Sequence, residues 1–587
     1  MAIQTNFPAI KPSLLLDFAN TKQLDPRITF TRASTATFYN GVTTAMAEQN
    51  LFTYSQDFSN AAWTKASTTI TANSTTAPDG TTTASTVTAS GGGIINRVAQ
   101  TSISGTFMFS FYAKANTQNF IQLNQNASSN YFANFDLSTG TVGTVGSSTT
   151  ATITSVGSSW YRCTMTVTSA TSGVLGLYVI DSSTAAAFAT TTSTSNFYIW
   201  GAQLEQRSSL TAYTATTTQA ITNYIPALQT AASGVARFDN NPTTGESLGL
   251  LIEESRTNLQ TYSSDFSNAI WNKSNATITA DTVVAPDGTL TGDKLVENTT
   301  ASVNHSVYQQ IASQGAGTYT YSIFVKPAGR TQLKIAQTIT TAYQLDFELS
   351  NLTISGSVGG ATGTITSVGN GWYRCSMTFT TVASLTLGMA IYSISGGSVT
   401  YTGDGFSGLY LWGAQLEAGA FATSYIPTVA SQVTRAADAA SMTGTNFSSW
   451  FNVGAITTYA DFISNGFTAN QIIFSYTLSA SSIINPIQLY FSAATTLNFD
   501  CWGNGTGTKT AAQNTAYKIA LGLDVNNLSV TLNADAITSD TSVGPAQPYT
   551  QLNIGNRNGS LIFNGTIKKI AYYPLRLTNA QLQALTS

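Results

Sequence analysis

Apolar and polar side chains alternate along most of this chain and almost nowhere follow a helical period. In Tyr161-Arg162-Cys163-Thr164-Met165-Thr166-Val167 every second residue is apolar, and Tyr373, Cys375, Met377 and Phe379 repeat the pattern further on. A period of two turns one set of side chains to a core and the other set away from it. Residues 107–114 and 319–326 read as matching central strands, and runs such as Thr68-Thr69-Ile70-Thr71 add β-branched residues that suit an extended backbone. About eight such strands in a stretch of roughly 155 residues, with no helical stretch between them, imply a two-sheet β-sandwich. Near the C-terminus, residues 517–523 and 528–533 form strands around an Asp524-Val525-Asn526-Asn527 turn, and residues 566–573 form a closing strand stopped by Pro574. Thr578-Asn579-Ala580-Gln581 then caps a short helix whose Leu582 and Leu585 pack back.

The sandwich pattern is written twice. Asn50-Leu51-x-Thr53-Tyr54-Ser55-x-Asp57-Phe58-Ser59-Asn60-Ala61-x-Trp63 returns 208 residues later, from Asn258 to Trp271, and Ala77-Pro78-Asp79-Gly80-Thr81 returns with the same offset. The later pairs, residues 153–163 with 365–375 and Trp200-Gly201-Ala202-Gln203-Leu204-Glu205 with residues 412–417, lie 212 apart. A repeated domain adds binding avidity or length before it adds a second active site. The expected division is a leader over 1–49, a first module over 50–205, a linker over 206–257, a second module over 258–430 and an unrelated domain over 431–587. The leader is too short for a core of its own and is expected to pack on a neighbour or a partner chain.

Composition narrows the function. The 587 residues carry 9% charged side chains and a net charge of -3, so the clustered Lys and Arg that a nucleic-acid partner requires are missing. Cys163 and Cys375 occupy one position in the two modules, and Cys501 has no repeat partner; all three read as small core hydrophobes. Residues 1–8 have neither the basic nor the apolar region of a signal peptide, and no run approaches the roughly 18 apolar residues of a membrane span. These features fit synthesis in a cytoplasm.

Catalytic chemistry finds little support. One unrepeated histidine, His305, gives no base for a nucleophilic triad and reads as an ordinary polar position on a strand. A pair of carboxylates for glycoside cleavage stays conceivable, yet Asp79 and Asp287 sit in Pro-Asp-Gly turns and Glu205 and Glu417 end strands. No enzyme is expected and no cofactor, though Asp57, Asp265, Glu205 and Glu417 supply the oxygens a structural Ca²⁺ uses. Six of the eight tryptophans fall in matched pairs, and Trp200 and Trp412 share a core face with Tyr198 and Tyr410. Trp160 and Trp372 fall on the same face as Arg162 and Arg374, opposite the apolar set. A ring beside a guanidinium suits a glycan through stacking and hydrogen bonds, so Trp160, Arg162, Trp372 and Arg374 are the candidate glycan-binding residues; a sheet-edge Trp under a loop is the competing reading.

Leu14-Leu15-Leu16-Asp17-Phe18-Ala19-Asn20, with residues 25–37, and Gly245-Glu246-Ser247-Leu248-Gly249-Leu250-Leu251-Ile252-Glu253-Glu254-Ser255-Arg256-Thr257-Asn258-Leu259 resemble segments of bacteriophage virion proteins. In that group they introduce modules that look like carbohydrate-binding jelly rolls. The last domain, through Leu552-Asn553-Ile554-Gly555-Asn556-Arg557 and Phe563-Asn564-Gly565-Thr566-Ile567, is similar to the concanavalin A-like, laminin-G-type sandwich. The resemblance implies an all-β protein: an N-terminal segment docked to other virion proteins, two tandem jelly-roll β-sandwiches, and a concanavalin A-like β-sandwich. It further implies a tail fibre or adhesin on a phage particle, homotrimeric by family analogy, assembled in the host cytoplasm and binding host-surface glycans. A capsid or neck decoration or connector protein acting as a spacer, and a polysaccharide depolymerase, are the rival readings.

Overall fold

The computed structural model describes residues 10–337, 343–467, 470–479, 486–501, 505–545 and 547–587; residues 1–8, read above as no signal peptide, lie outside them. The all-β expectation holds. Helices among the described residues are limited to Phe18–Thr21, Thr445–Ser448 and Asn579–Thr586, the last with the anticipated capping box at Thr578 and Gln581.

Each module is an antiparallel sandwich. In module one, Arg97–Ala115 and Tyr161–Val179 are long bent strands that run through both layers and join them into one 10-stranded sheet, with register shifts near Ala170 and Gly173. In module two the same path is cut into Ser306–Gln314 with Gly317–Ala328 and Trp372–Thr381 with Leu385–Ile394, leaving two separate 6-stranded sheets. The alternation is observed as read: Cys163, Met165 and Val167 lie in one module core, and Cys375, Met377 and Phe379 in the other.

The third sandwich is the trunk of the molecule, and its strands come from three separate stretches of sequence. One sheet runs Arg237–Asn240, Ser247–Ile252, Gly565–Tyr573, Ile456–Ser464, Ala516–Asp524, Asn527–Leu532, Thr538–Asp540, with Leu14–Asp17 also paired to Gly565–Tyr573. The other runs Thr29–Thr31, Ala439–Thr443, Gln551–Ile554, Gln471–Thr477, Ile487–Ala493, Thr496–Cys501, Gly505–Thr510. A single core gathers Leu14, Leu16, Phe18 and Ile28, then Leu250 and Ile252, then the C-terminal residues Phe474, Ile554 and Ile570.

This corrects the expected boundaries. The leader is an internal part of the trunk, because Leu14, Leu16 and Phe18 have apolar surface to bury and find it on Gly565–Tyr573. Much of the expected linker is trunk as well: the Asn240-Asn241-Pro242 turn closes the hairpin between Arg237–Asn240 and Ser247–Ile252. Both modules are therefore insertions, one between Thr29–Thr31 and Arg237–Asn240, the other between Ser247–Ile252 and Ala439–Thr443. The first hangs on a two-stranded ribbon of Ala36–Asn50 with Ile221–Ala231, the second on Arg256–Asn258 with Val433–Arg435.

Where the chain passes between trunk and modules it buries a charged cluster. Arg237 donates to Glu253 at 2.7 Å and to Asp438 at 2.6 Å, Arg32 meets Asp438 at 3.1 Å, and Arg435 meets Glu253 at 3.0 Å. Burial alone raises the Glu253 carboxyl, but Arg435 and Arg237, with Ser424, more than offset that and pull it down to about 2. Such a cluster adds little net stability over apolar residues of the same size, whereas removing one partner strands a buried charge.

Candidate functional site

The four predicted glycan-binding residues do not form an exposed site. Trp160 and Trp372 are 2% and 0% exposed, and their indole N–H groups donate to Thr76 O at 3.1 Å and Val284 O at 3.0 Å. The face opposite each module core is covered by a second apolar layer. In module one that layer joins Trp160 to Trp200, Tyr112 and Tyr213; in module two it joins Trp372 and Trp412 to Tyr39, Ile225 and Leu228 of the ribbon. Arg162 is satisfied by Thr211 O at 2.9 Å and Ser110 Oγ at 3.2 Å, and stacks over Tyr112. Arg374 stacks over Phe324 and donates to Ser322 Oγ at 2.9 Å. It alone of the four lines a cleft. The alternation placed these side chains away from the module cores correctly; it carried no information about the ribbon and loops that cover them.

The acids considered for calcium are locally engaged. Asp57 and Asp265 accept from Ser59 and Ser267, and Glu205 and Glu417 from Thr211 and Thr423. Among the described residues no three His, Cys, Asp or Glu side chains gather as metal ligands. His305 is fully buried, its Nδ1 2.7 Å from Asn275 O.

An open polar face lies elsewhere, on the outer side of the module-two sheet built from Ser306–Gln314, Leu385–Ile394, Gln332–Gln337, Gln344–Glu348 and Thr353–Val358. Strand register sets Ser306, Tyr392, Lys334, Asp346 and Ser355 in one row across five strands. The next row is Tyr308, Ala390, Ala336 and Gln344. Alternation makes this the outward set, since Val307, Ile311, Leu333, Ile335, Leu345, Phe347 and Ile391 fill the core from the same strands. Two half-buried tyrosines thus flank a shallow floor of alanines beside Lys334 and Asp346. Burial, and Tyr308 beside it, push the Tyr392 phenol upward, so it is a neutral donor and acceptor. Lys334 Nζ stands 3.4 Å from Asp346 Oδ1, an oxygen that accepts no hydrogen bond. Gly356, at φ +64°, leaves the space that the Asp346 carboxylate fills.

Module one closes the equivalent face. Its row reads Arg97, Tyr178, Gln122 and Asn134. Gln122 donates to Asn134 Oδ1 at 2.8 Å and Ala186 O at 2.9 Å, while Asn134 donates to Ser183 O and Ala185 O. Phe188 stacks edge-on over Tyr178 at 6.5 Å. Residues 183–188 therefore seal the row, and Tyr178, Gln122 and Asn134 are buried. In module two the matching segment is drawn aside. Glu297, fully buried, accepts from Arg330 Nε at 3.0 Å, Tyr401 OH at 2.7 Å and Asp404 N at 2.9 Å, and Thr400–Tyr401 pairs with Val303–Asn304. Module one has Ala89, Gln118 and Thr192 at the Glu297, Arg330 and Asp404 positions, so it lacks the anchor. These residues were legible only as places where the two copies differ.

No family profile matches the chain, and no curated protein matches it. Among solved structures it is similar to the CBM40 of a Ruminococcus gnavus IT-sialidase bound to α2,3-sialyllactose, at 16% identity over 24% of this chain and 88% of that one, with a TM-score of 0.22. It is also similar to the Streptococcus pneumoniae NanB sialidase, at 13% identity over 25% and 26% with a TM-score of 0.23. A Bacteroides ovatus protein described as a candidate carbohydrate binder aligns at 12% identity over 49% and 80%, with a TM-score of 0.18. At these scores the likeness bears on neither site nor ligand.

Proposed function

We propose that this chain is a carbohydrate-binding, non-catalytic component of a bacteriophage particle, a tail fibre or adhesin assembled in the host cytoplasm. Its open module-two face holds host-surface glycans, and the trunk is the concanavalin A-like domain of the resemblance. The observation that carries the reading is the uncovered row of Tyr392, Lys334 and Asp346 beside Tyr308, where the other copy of the module is sealed. Rings, a cation, a carboxylate with an unused oxygen and a floor of small residues suit a sugar, which offers apolar ring faces and hydroxyls that both donate and accept. One shallow site per chain binds weakly, and a homotrimer multiplies it through high effective concentration. Contacts to other virion proteins fall to the trunk, since the leader is folded into it.

The spacer reading draws on one observation, the burial of both repeated tryptophans. A glycan array separates the two. The adhesin reading predicts saccharide binding by the full chain that falls at least tenfold in the Tyr308→Ala, Tyr392→Ala double variant, with an unchanged melting temperature. Silence of the wild-type chain on the array, or binding that the double variant retains in full, contradicts it.

A further inference from the structure

The cleft that Arg374 lines lies between module two, the ribbon and the trunk and encloses about 820 Å³, within the roughly 300–1,000 Å³ range of small-molecule sites. Its inner wall carries polar atoms that the fold leaves unpaired. Tyr39, 9% exposed, has a hydroxyl with no hydrogen-bond partner, and Asn240, 1% exposed, has an Oδ1 with none. The Arg374 Nε–H is likewise unpaired, although the equivalent Arg162 secures a backbone carbonyl through Nη1. An unpaired buried polar group costs about 1–3 kcal/mol, so three on one wall are a standing demand for partners. Phe38, Phe421 and Phe467 add aromatic surface to the lining.

Charge decides the kind of partner. Arg32, Arg237, Arg435 and Arg374 around the cleft are matched by Glu253, Asp438, Asp239 and Glu417, which leaves no surplus for an anion or a cation. The unpaired atoms comprise a donor, an acceptor and a hydroxyl that serves as either. We infer that this cleft is a second ligand site, which takes a short neutral saccharide whose hydroxyls pair with Tyr39, Asn240 and Arg374 while a ring face lies on the phenylalanines. The inference stands on the cleft and not on the open face of module two.

Tyr39→Phe tests it, because the variant removes a hydroxyl that bonds nothing in the unliganded chain and so leaves folding intact. The full chain is titrated with neutral di- to tetrasaccharides ending in glucose, galactose or N-acetylglucosamine, followed by ligand-observed NMR. Expected is at least one saccharide whose binding survives Tyr308→Ala, Tyr392→Ala and weakens at least tenfold in Tyr39→Phe and in Arg374→Lys, with melting temperature unchanged in Tyr39→Phe. The inference is overturned if every bound saccharide is lost with the open-face variant, or if Tyr39→Phe leaves all binding as it was. Binding that only the cleft variants weaken sinks the open-face reading instead, and a wild-type chain that binds none of the probes sinks both.

Discussion

The two modules are copies with opposite outer faces. Module one seals its row of Tyr178, Gln122 and Asn134 beneath residues 183–188; module two presents Tyr392, Lys334 and Asp346. The cores are nearly interchangeable, so what differs is where one surface segment goes. A buried carboxylate, Glu297, sets that route by collecting Arg330, Tyr401 and Asp404. Duplication supplies a scaffold, and a few polar substitutions decide whether a face becomes a core or a site.

The harshest way to break the comparison acts on what the modules share. Arg237→Ala leaves Glu253 and Asp438 without their closest cation, at a cost of about 3–5 kcal/mol. Because both modules are inserted in the trunk, calorimetry is expected to show all three sandwiches melting earlier. A module whose transition stays put would show the insertions to be independent of the junction.

Next in size is a pH effect confined to module two. Asp293 accepts from Phe266 N and Asp281 N, and burial raises its carboxyl from 3.8 to about 6, whereas module one has Ser85 at the equivalent position. The folded pKa lies above the unfolded one, so the stability linked to this group is full below about pH 3.8 and is lost as pH rises through 6, by roughly 3 kcal/mol. Asp293→Ser is expected to flatten that part of the stability profile between pH 4 and 7, read from denaturant midpoints. An unchanged slope contradicts the assignment.

Smaller, but more pointed, is one substitution made in each copy. Gln122→Ala in module one strands the Asn134 amide and the Ala186 carbonyl under the sealing segment and is expected to cost about 1–3 kcal/mol. Lys334→Ala in module two removes half of a solvent-facing ion pair and costs at most about 1 kcal/mol, while weakening saccharide binding. Equal losses of stability would mean that the two faces are alike.

Much of this was legible. Period-2 alternation located the module strands, the repeat located the modules, and Thr578 with Gln581 announced the last helix. Long-range partners were not. Nothing near Leu14-Leu15-Leu16 says that its partner strand begins at residue 565, and nothing near Trp372 says that ribbon residues Tyr39 and Leu228 cover it. A pattern records that a side chain leaves one core; whether it meets water or a second core depends on segments hundreds of residues away. The site was legible only in the mismatches, since Glu297, Arg330 and Asp404 interrupt an otherwise faithful copy.

Amide hydrogen exchange of the full chain, with and without a saccharide identified on the array, tests the central claim most directly. The account predicts added protection over residues 306–310, 332–337, 344–348 and 388–394, and none over the sealed counterparts at 97–100, 120–125, 132–136 and 176–179. Protection of the module-one strands, or equal protection of both copies, contradicts it.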